Sequence, residues 1–170
     1  HRQRLLAGLQ GSVLEVGAGH GLNFAHYPST VTRVRAVEPE PYLRRAAEEA
    51  ATRAPVPVTV VDGVAEQLPA DNDSYDAVVV TLVLCSVGDQ DTALAEIRRV
   101  LRPGGELRFF EHVRATTPGL RRVQRVLDAT IWPRIAGGCH TGRDTVAAIE
   151  RAGFTLERLE RIRFPDVRPT

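Results

Sequence analysis

Hydrophobic and polar residues alternate with two different periods along this chain, one typical of strands and one typical of helices. The succession of these two kinds of segment predicts an α/β fold. Short apolar runs that end in Gly, Asp or Glu are typical of strands buried in a sheet. Such runs cover residues 12–16, 33–37, 57–61, 75–82, 106–111 and 154–164. Helical spacing predicts helices over residues 2–9, 42–53, 91–101, 118–136 and 143–152, and a short helical segment after residue 23. The alternation predicts a doubly wound, mostly parallel sheet with helices on both faces.

Composition and charge fit a single domain spanning residues 1–170. With 43% hydrophobic residues, a chain of this length can bury a substantial core. The net charge of +1 offers no field for nucleic acid or for an anionic membrane surface. No apolar run reaches the ~20 residues that span a bilayer, so we expect no integral membrane segment. We expect a monomer that acts on a small molecule.

The two cysteines, Cys85 and Cys139, lie far apart in the sequence and have no metal-ligand spacing around them. This usage predicts no disulfide framework, no metal site and a reducing, cytoplasmic compartment. Both residues are more typical of a core or pocket wall than of nucleophiles. The chain begins at His1 rather than at a methionine, so we expect native N-terminal residues to be missing from it.

The first predicted strand breaks directly into a turn with glycines at positions 17, 19 and 21. Glycine lacks the Cβ that would keep a ligand off the backbone, although a tight turn without a ligand also uses it. A dinucleotide fingerprint, Gly-x-Gly-x-x-Gly, would need a glycine at Leu22. With Glu15 inside the strand, the pattern is instead Glu-x-Gly-x-Gly-x-Gly.

This pattern resembles the first motif of class I S-adenosylmethionine-dependent methyltransferases. Residues 62–69 (Asp-Gly-Val-Ala-Glu-Gln-Leu-Pro) and residues 99–105 (Arg-Val-Leu-Arg-Pro-Gly-Gly) resemble further segments of the same family. Val64 stands where that family often has an aspartate, so adenine recognition is expected to use mainly the backbone around Ala65, with Asp62 as a secondary helper. The resemblance implies S-adenosyl-L-methionine as cofactor. It implies these cofactor-binding residues: Glu15, Gly17, Ala18, Gly19, Gly21, Asn23, Glu38, Pro39, Val64, Ala65, Thr81 and Leu82.

Glu38 ends the second predicted strand, 21 positions after Gly17 (38 − 17 = 21). A carboxylate at this point of a doubly wound fold can accept hydrogen bonds from both ribose hydroxyls of a nucleotide cofactor. The alternative is a solvated acid at a strand end. Pro39, next to it, is expected to lie against the adenine face.

Three later segments resemble a narrower group, the methyltransferase-like alkyl-thiol methyltransferases and their bacterial relatives. They are Cys85-Ser86 after the fourth strand, residues 110–113 (Phe-Glu-His-Val) and residues 138–140 (Gly-Cys-His). The resemblance implies methyl transfer to a small apolar molecule, with an alkyl thiol favoured. Phospholipid or quinone-like substrates are alternatives. A nicotinamide-dependent oxidoreductase and a non-catalytic cofactor-binding domain are rival classes, and the absence of lysine disfavours the former.

Three side chains are candidates for proton transfer, because they follow a strand end or lie in the late loop, which is predicted at residues 137–140. They are His112, His140 and Glu111. A hydrogen-bonded structural role is the alternative for each histidine, and an ion pair with arginine is the alternative for Glu111.

Two features of the family pattern are reduced in this chain. Only residues 165–170 remain after the sixth predicted strand, so we expect either that the chain is cut short before the final hairpin strand or that the sheet ends early. Residues 2–9 would form a short lid helix, held by Leu5, Leu6 and Leu9. We therefore expect an open crevice. Its expected wall residues are Val83, Leu84, Trp132 and Ile135.

Overall fold

The computed structural model describes residues 1–115, 117–130 and 138–161. Its strands form one five-stranded sheet in the order β3-β2-β1-β4-β5, and every neighbouring pair is parallel. The strands are β1 (Gly11–Val16), β2 (Val31–Val37), β3 (Val58–Val61), β4 (Tyr75–Thr81) and β5 (Leu101–Phe110). The predicted doubly wound fold is confirmed. Because the strand order reverses between β1 and β4, the ligand crevice is expected at the carboxyl ends of these two strands.

The described residues form five α-helices. They are α1 (Arg2–Leu6), α2 (Pro41–Ala51), α3 (Gln90–Val100), α4 (Pro118–Ala129) and α5 (Thr145–Arg151). The prediction extended α4 to residue 136, but residues 131–136 lie outside the described part of the chain. No side chain of α4 is buried. Its apolar residues Leu120, Val123 and Val126 are each more than half exposed.

Side chains of the central strands alternate between two hydrophobic clusters, one on each face of the sheet. Leu14 of β1 packs in one cluster with Ile97 of α3 and Ile149 of α5. Val13, its neighbour in β1, packs in the other cluster with Leu6 of α1. This alternation is the period of two that a strand imposes, and it explains why a continuous apolar run is buried on both sides.

α1 is too short to be stable alone, and packing holds it on the sheet. Leu6 and Leu9 are fully buried and Leu5 is partly buried, as the sequence predicted. The Arg108 guanidinium of β5 donates hydrogen bonds to the carbonyls of Leu5 (2.9 Å) and Ala7 (2.6 Å).

The predicted start of α3 needs correction, and the predicted segment after the glycine turn is shorter than a helix. Asp89 rather than Asp91 caps α3, because its carboxylate accepts hydrogen bonds from the amides of Asp91 (2.9 Å) and Thr92 (3.2 Å). The segment after the glycine turn forms only one turn of 3-10 helix, Phe24–His26. The residue that follows it precedes Pro28 and is extended, since a residue before proline is disfavoured in the helical region.

The predicted sixth strand is wrong over its described part. Residues 154–161 form no strand, and residues 162–164 lie outside the described residues. Phe154 and Leu156 pack instead against the cluster that contains α3 and α5. Their apolar alternation therefore reflects packing on a helix pair and not pairing in the sheet.

Candidate functional site

The carboxyl ends of β1 and β2 are joined through the glycine turn. The amides of Gly17 and Ala18 donate to the Val37 carbonyl, at 2.8 and 3.1 Å. The Gly19 amide donates to Glu38 Oε2 at 2.7 Å, and the Glu40 amide donates to Oε1 at 3.1 Å. Each carboxylate oxygen can accept more than one hydrogen bond. Glu38 therefore braces the turn and still has acceptor capacity for a ligand.

The three glycines of the turn all have positive φ, but they differ in what a side chain would meet. A Cβ on Gly17 would lie 2.3 Å from Val83 Cγ2, and one on Gly21 would lie 2.7 Å from the Phe24 ring. A Cβ on Gly19 would meet no protein atom within 4 Å. Packing thus requires glycine at positions 17 and 21, whereas Gly19 faces open space.

Glu15 lies beneath this turn in a buried polar network. Its carboxylate accepts hydrogen bonds from Asn23 Nδ2 (2.9 Å) and from the Tyr27 hydroxyl (2.6 Å). Asn23 Nδ2 also donates to Thr81 Oγ1 at 3.1 Å, and Asn23 Oδ1 accepts from Arg2 at 2.7 Å. Burial raises the pKa of Glu15 from 4.5 to about 7, against the opposing effect of these hydrogen bonds and of the Arg2 charge. The network ties α1, β1 and β4 together.

The residues after β2 and β3 line the same edge. Pro39 is exposed, Val64 is 44% exposed and Ala65 is buried. The Asp62 carboxylate pairs with Arg44 at 2.7 Å, and Arg44 also donates to the carbonyl of Glu38 at 2.8 Å. Arg44 therefore links the ends of β2 and β3, a role that no sequence pattern indicates.

The end of β4 is strained. Leu82 has φ +59°, in the left-handed region that is costly for a residue with a branched side chain, and its side chain is 37% exposed. Thr81, just before it, is buried in the network of Glu15. Such strain persists only where its surroundings hold it, and here the Leu82 amide donates to the Phe110 carbonyl at 2.8 Å.

Glu111, after β5, holds the turn that follows β4. Its carboxylate accepts hydrogen bonds from the amides of Val83 (2.8 Å), Leu84 (3.1 Å) and Cys85 (3.1 Å). Burial raises the pKa of Glu111, while these three amides oppose the rise. The Glu111 carboxylate thus accepts three hydrogen bonds and fixes the turn after β4.

Cys85, His112 and Cys139 lie together at this end of the sheet. Cys139 Sγ lies 3.2 Å from Cys85 Sγ and 3.3 Å from His112 Nδ1. Both cysteines are buried, as predicted, and they form no disulfide bond. Burial and the nearby Glu111 carboxylate raise the pKa of the Cys85 thiol. The sequence spacing gave no sign of this cluster, because its members come from the end of β4, the end of β5 and the loop before α5.

His140 follows Cys139 in that loop. Its amide donates to the Cys85 carbonyl at 2.8 Å, which joins the loop to the end of β4. Its Nδ1 is buried and has no hydrogen-bond partner among the described residues. Of the predicted wall residues, Val83 lies against Gly17, but Leu84 is fully buried in the core and does not line a crevice. Trp132 and Ile135 lie outside the described residues.

Residues 14–109, more than half of the chain, match the family model of the methyltransferase domain. The chain belongs to the class I S-adenosylmethionine-dependent methyltransferase family. Glu15 at the end of β1 and the glycine turn that follows it lie at the start of the matched region.

Similar proteins agree with this assignment. The human thiol S-methyltransferase TMT1A is 40% identical over 159 residues, which cover 91% of this methyltransferase chain and 64% of TMT1A. The ubiquinone/menaquinone biosynthesis C-methyltransferase UbiE of Syntrophotalea carbinolica is 30% identical over 177 residues, covering 98% of this chain and 73% of UbiE. The crystal structure of an S-adenosylmethionine-dependent methyltransferase from Mesorhizobium loti shares the fold, with a TM-score of 0.69 and 20% identity over 94% of this chain and 81% of that one. This chain spans just under two thirds of the length of TMT1A.

The open space at Gly19 and the acceptor oxygens of Glu38 fit S-adenosylmethionine, the cofactor of this methyltransferase family. A backbone without a Cβ lets a ligand approach closely, and a buried carboxylate can accept from paired hydroxyls. Elsewhere, a polar groove of about 560 Å³ lies toward the amino ends of β3 and β4, between Pro57 and Ser74. It contains none of the predicted site residues. Among the described helices, none is long and apolar enough to cross a membrane.

Proposed function

We propose that this chain transfers a methyl group from S-adenosylmethionine to the sulfur of an alkyl thiol. The observation that carries the substrate class is the 40% identity to a thiol S-methyltransferase over 91% of this chain. The brace between Gly19 and Glu38 supports binding of the cofactor at the ends of β1 and β2.

The cofactor supplies a methyl group that is already activated by a positively charged sulfur. The chain has to hold the thiol in line with that methyl group and to exclude water. A thiol sulfur is a good nucleophile only as a thiolate, so the S–H proton has to leave first. The thiolate electron pair then forms the new S–C bond, and the pair from the breaking bond stays on the cofactor's sulfur.

In this proposal, Glu38 accepts hydrogen bonds from the ribose hydroxyls, and the Gly19 backbone lies against the cofactor. Pro39, Val64 and Ala65 line the adenine side, in keeping with the exposed surfaces of Pro39 and Val64. Leu82 covers the cofactor from the end of β4, and this contact accounts for the costly backbone conformation of Leu82. The buried network lies beneath the turn and fixes its position through the hydrogen bonds of Glu15, Asn23 and Thr81.

His140 is the proposed proton acceptor. Its buried Nδ1 has no partner among the described residues, so it is available to a substrate proton. Glu111 differs, because its carboxylate already accepts from three amides. His112 also differs, because its Nδ1 faces the sulfur of Cys139. Glu111 and His112 are therefore assigned to positioning the end of β4 and the late loop.

A quinone-like acceptor is the second candidate. The 30% identity to UbiE over 98% of this chain favours it. Methylation at carbon and at sulfur would use the same cofactor half and differ in how the acceptor is deprotonated. We also propose that the chain is one catalytic domain, acts as a monomer and works in the cytoplasm. The single sheet of the described residues supports one domain, and two cysteines without a disulfide support a reducing compartment.

The test is product identification with matched acceptors. The purified chain is incubated with S-adenosylmethionine and hexanethiol, hexanol or a reduced quinone, and products are measured by mass spectrometry. The proposal predicts methyl hexyl sulfide and an equal amount of S-adenosylhomocysteine in the thiol sample alone. Methylated quinone without methyl hexyl sulfide would contradict it and favour the second candidate.

A further inference from the structure

The cluster of Cys85, His112 and Cys139 offers two sulfur atoms and one imidazole nitrogen within a small volume. One ligand atom from each residue lies within 4.8 Å of the other two. Cys85 is fully buried and Cys139 is 5% exposed, so the sulfur atoms are shielded from water. Two thiolates and one histidine are a donor set that zinc accepts, and the usual catalytic arrangement has three protein ligands and one open position.

We propose that Cys85, His112 and Cys139 form a zinc site whose fourth position takes the sulfur of the substrate. The binding site itself stands on this geometry alone, whereas its role in the reaction rests on the proposed function. No metal site was predicted from the sequence, because the spacing of the cysteines along the chain does not reveal that they meet in the fold.

The observed distances are close to those that a zinc ion needs. Bond lengths of about 2.3 Å to sulfur and about 2.0 Å to nitrogen place tetrahedral ligands roughly 3.5–3.8 Å apart. The Cys139 sulfur lies 3.2 Å from the Cys85 sulfur and 3.3 Å from His112 Nδ1. The two distances from Cys139 would therefore lengthen by only a few tenths of an ångström to admit the ion, and the third pair, Cys85 and His112, lies within 4.8 Å.

Hydrogen bonds fix the two loops that carry the sulfur atoms. Glu111 accepts from the Cys85 amide at 3.1 Å, and the His140 amide donates to the Cys85 carbonyl at 2.8 Å. The Arg143 guanidinium donates to the carbonyls of Leu84 (3.0 Å) and Val87 (2.6 Å), on either side of Cys85. Such outer contacts orient metal ligands and keep the site in shape before the ion binds.

The position of the cluster suits a role in the reaction. Cys85 and His112 follow β4 and β5, at the sheet edge where Leu82 and Gly19 face the crevice. At the open position, the substrate S–H bond breaks, the sulfur electron pair bonds to the ion, and the proton passes to His140 or to solvent. Zinc thereby holds the thiol as a thiolate near neutral pH, which is the state that methyl transfer needs.

The first test measures metal in the whole chain, purified under reducing conditions without chelators. The proposal predicts about one zinc per chain by mass spectrometry of the metal. Replacing zinc by cobalt should give the strong near-ultraviolet absorption of a thiolate–cobalt bond. His112→Ala and Cys139→Ser should lower the zinc content, while His26→Ala, which removes an exposed histidine from the 3-10 turn, should not.

The cobalt spectrum of the unaltered chain keeps the test decisive if a cysteine variant fails to fold. Absence of zinc together with a cobalt spectrum that lacks the thiolate band would overturn the site. Removal of zinc should abolish thiol methylation and leave the affinity for S-adenosylhomocysteine unchanged. Full activity in the metal-free chain would overturn the proposed role. Bound zinc without any thiol methylation would count against the proposed function and leave the site standing.

Discussion

The Gly19 amide donates a 2.7 Å hydrogen bond to the Glu38 carboxylate, and this bond joins the glycine turn after β1 to the end of β2. Gly19, the turn residue that faces open space, is thereby held in place by Glu38, the acid proposed to bind the ribose. Loss of either partner should disturb the other. The two residues are therefore the first to test.

Glu38→Ala should weaken S-adenosylhomocysteine binding by at least about tenfold, since hydrogen bonds to a charged group contribute about 1.5–3 kcal/mol each. Calorimetry measures the dissociation constant. Glu40→Ala is the matched control, because it removes the acid that caps α2 two residues away. Equal affinities of the Glu38→Ala variant and the unaltered chain would show that Glu38 does not hold the ribose.

Gly19→Ala should weaken the same binding by roughly tenfold or more, because the added methyl group enters the ligand's space. The control is Gly104→Ala in the first half of β5. Gly104 also has positive φ and open surroundings, so both changes carry a similar backbone strain of about 1–2 kcal/mol. The midpoint temperature of thermal unfolding should fall by a similar amount in both variants. A loss of affinity in both, or in neither, would contradict a ligand contact at Gly19.

Glu15 should make the free energy of unfolding depend on pH. Its pKa is raised by burial from 4.5 to about 7, so the folded state holds a proton that the unfolded state releases within this range. The contribution of protonated Glu15 to the free energy of unfolding is complete below pH 4.5 and is lost as pH rises through 7. The free energy of unfolding should change by about 3 kcal/mol over this range. Glu15→Gln should remove this change. Urea unfolding across this pH range tests the prediction, and parallel curves for the two proteins would contradict it.

His140→Asn should lower kcat for an alkyl thiol on the order of 10²-fold near neutral pH, because the proton acceptor is removed. The loss should shrink at alkaline pH, where the thiol ionises without help. His26→Asn is the control, since His26 is exposed on the 3-10 turn. A loss of the same size at every pH would assign His140 a structural role.

The sheet was predictable from the sequence, because its signals are local. β4 was recognised from a continuous apolar run, and the glycine turn was recognised from residue types within nine positions. The strand predicted after Gly153 was wrong over residues 154–161, since alternation in Phe154 and Leu156 is satisfied equally well by packing on helices. Pattern alone does not tell the two cases apart.

The contacts within the candidate site could be predicted less completely, because long-range contacts decide them. Tyr27 and Arg2 join the Glu15 network from separate elements, and neither residue has a sequence signal for that role. Cys85 and Cys139 are 54 positions apart and come within 3.2 Å only through the loop before α5. The sheet order explains why the ends of β4 and β5 meet, but not how that loop returns to them.

The central claim is that the edge formed by Gly19 and Glu38 binds S-adenosylmethionine. Side-by-side calorimetric titration of the chain with S-adenosylhomocysteine and with NAD tests it most directly. The account predicts saturable binding of one S-adenosylhomocysteine per chain and no measurable binding of NAD. Saturable NAD binding with no response to S-adenosylhomocysteine would contradict it.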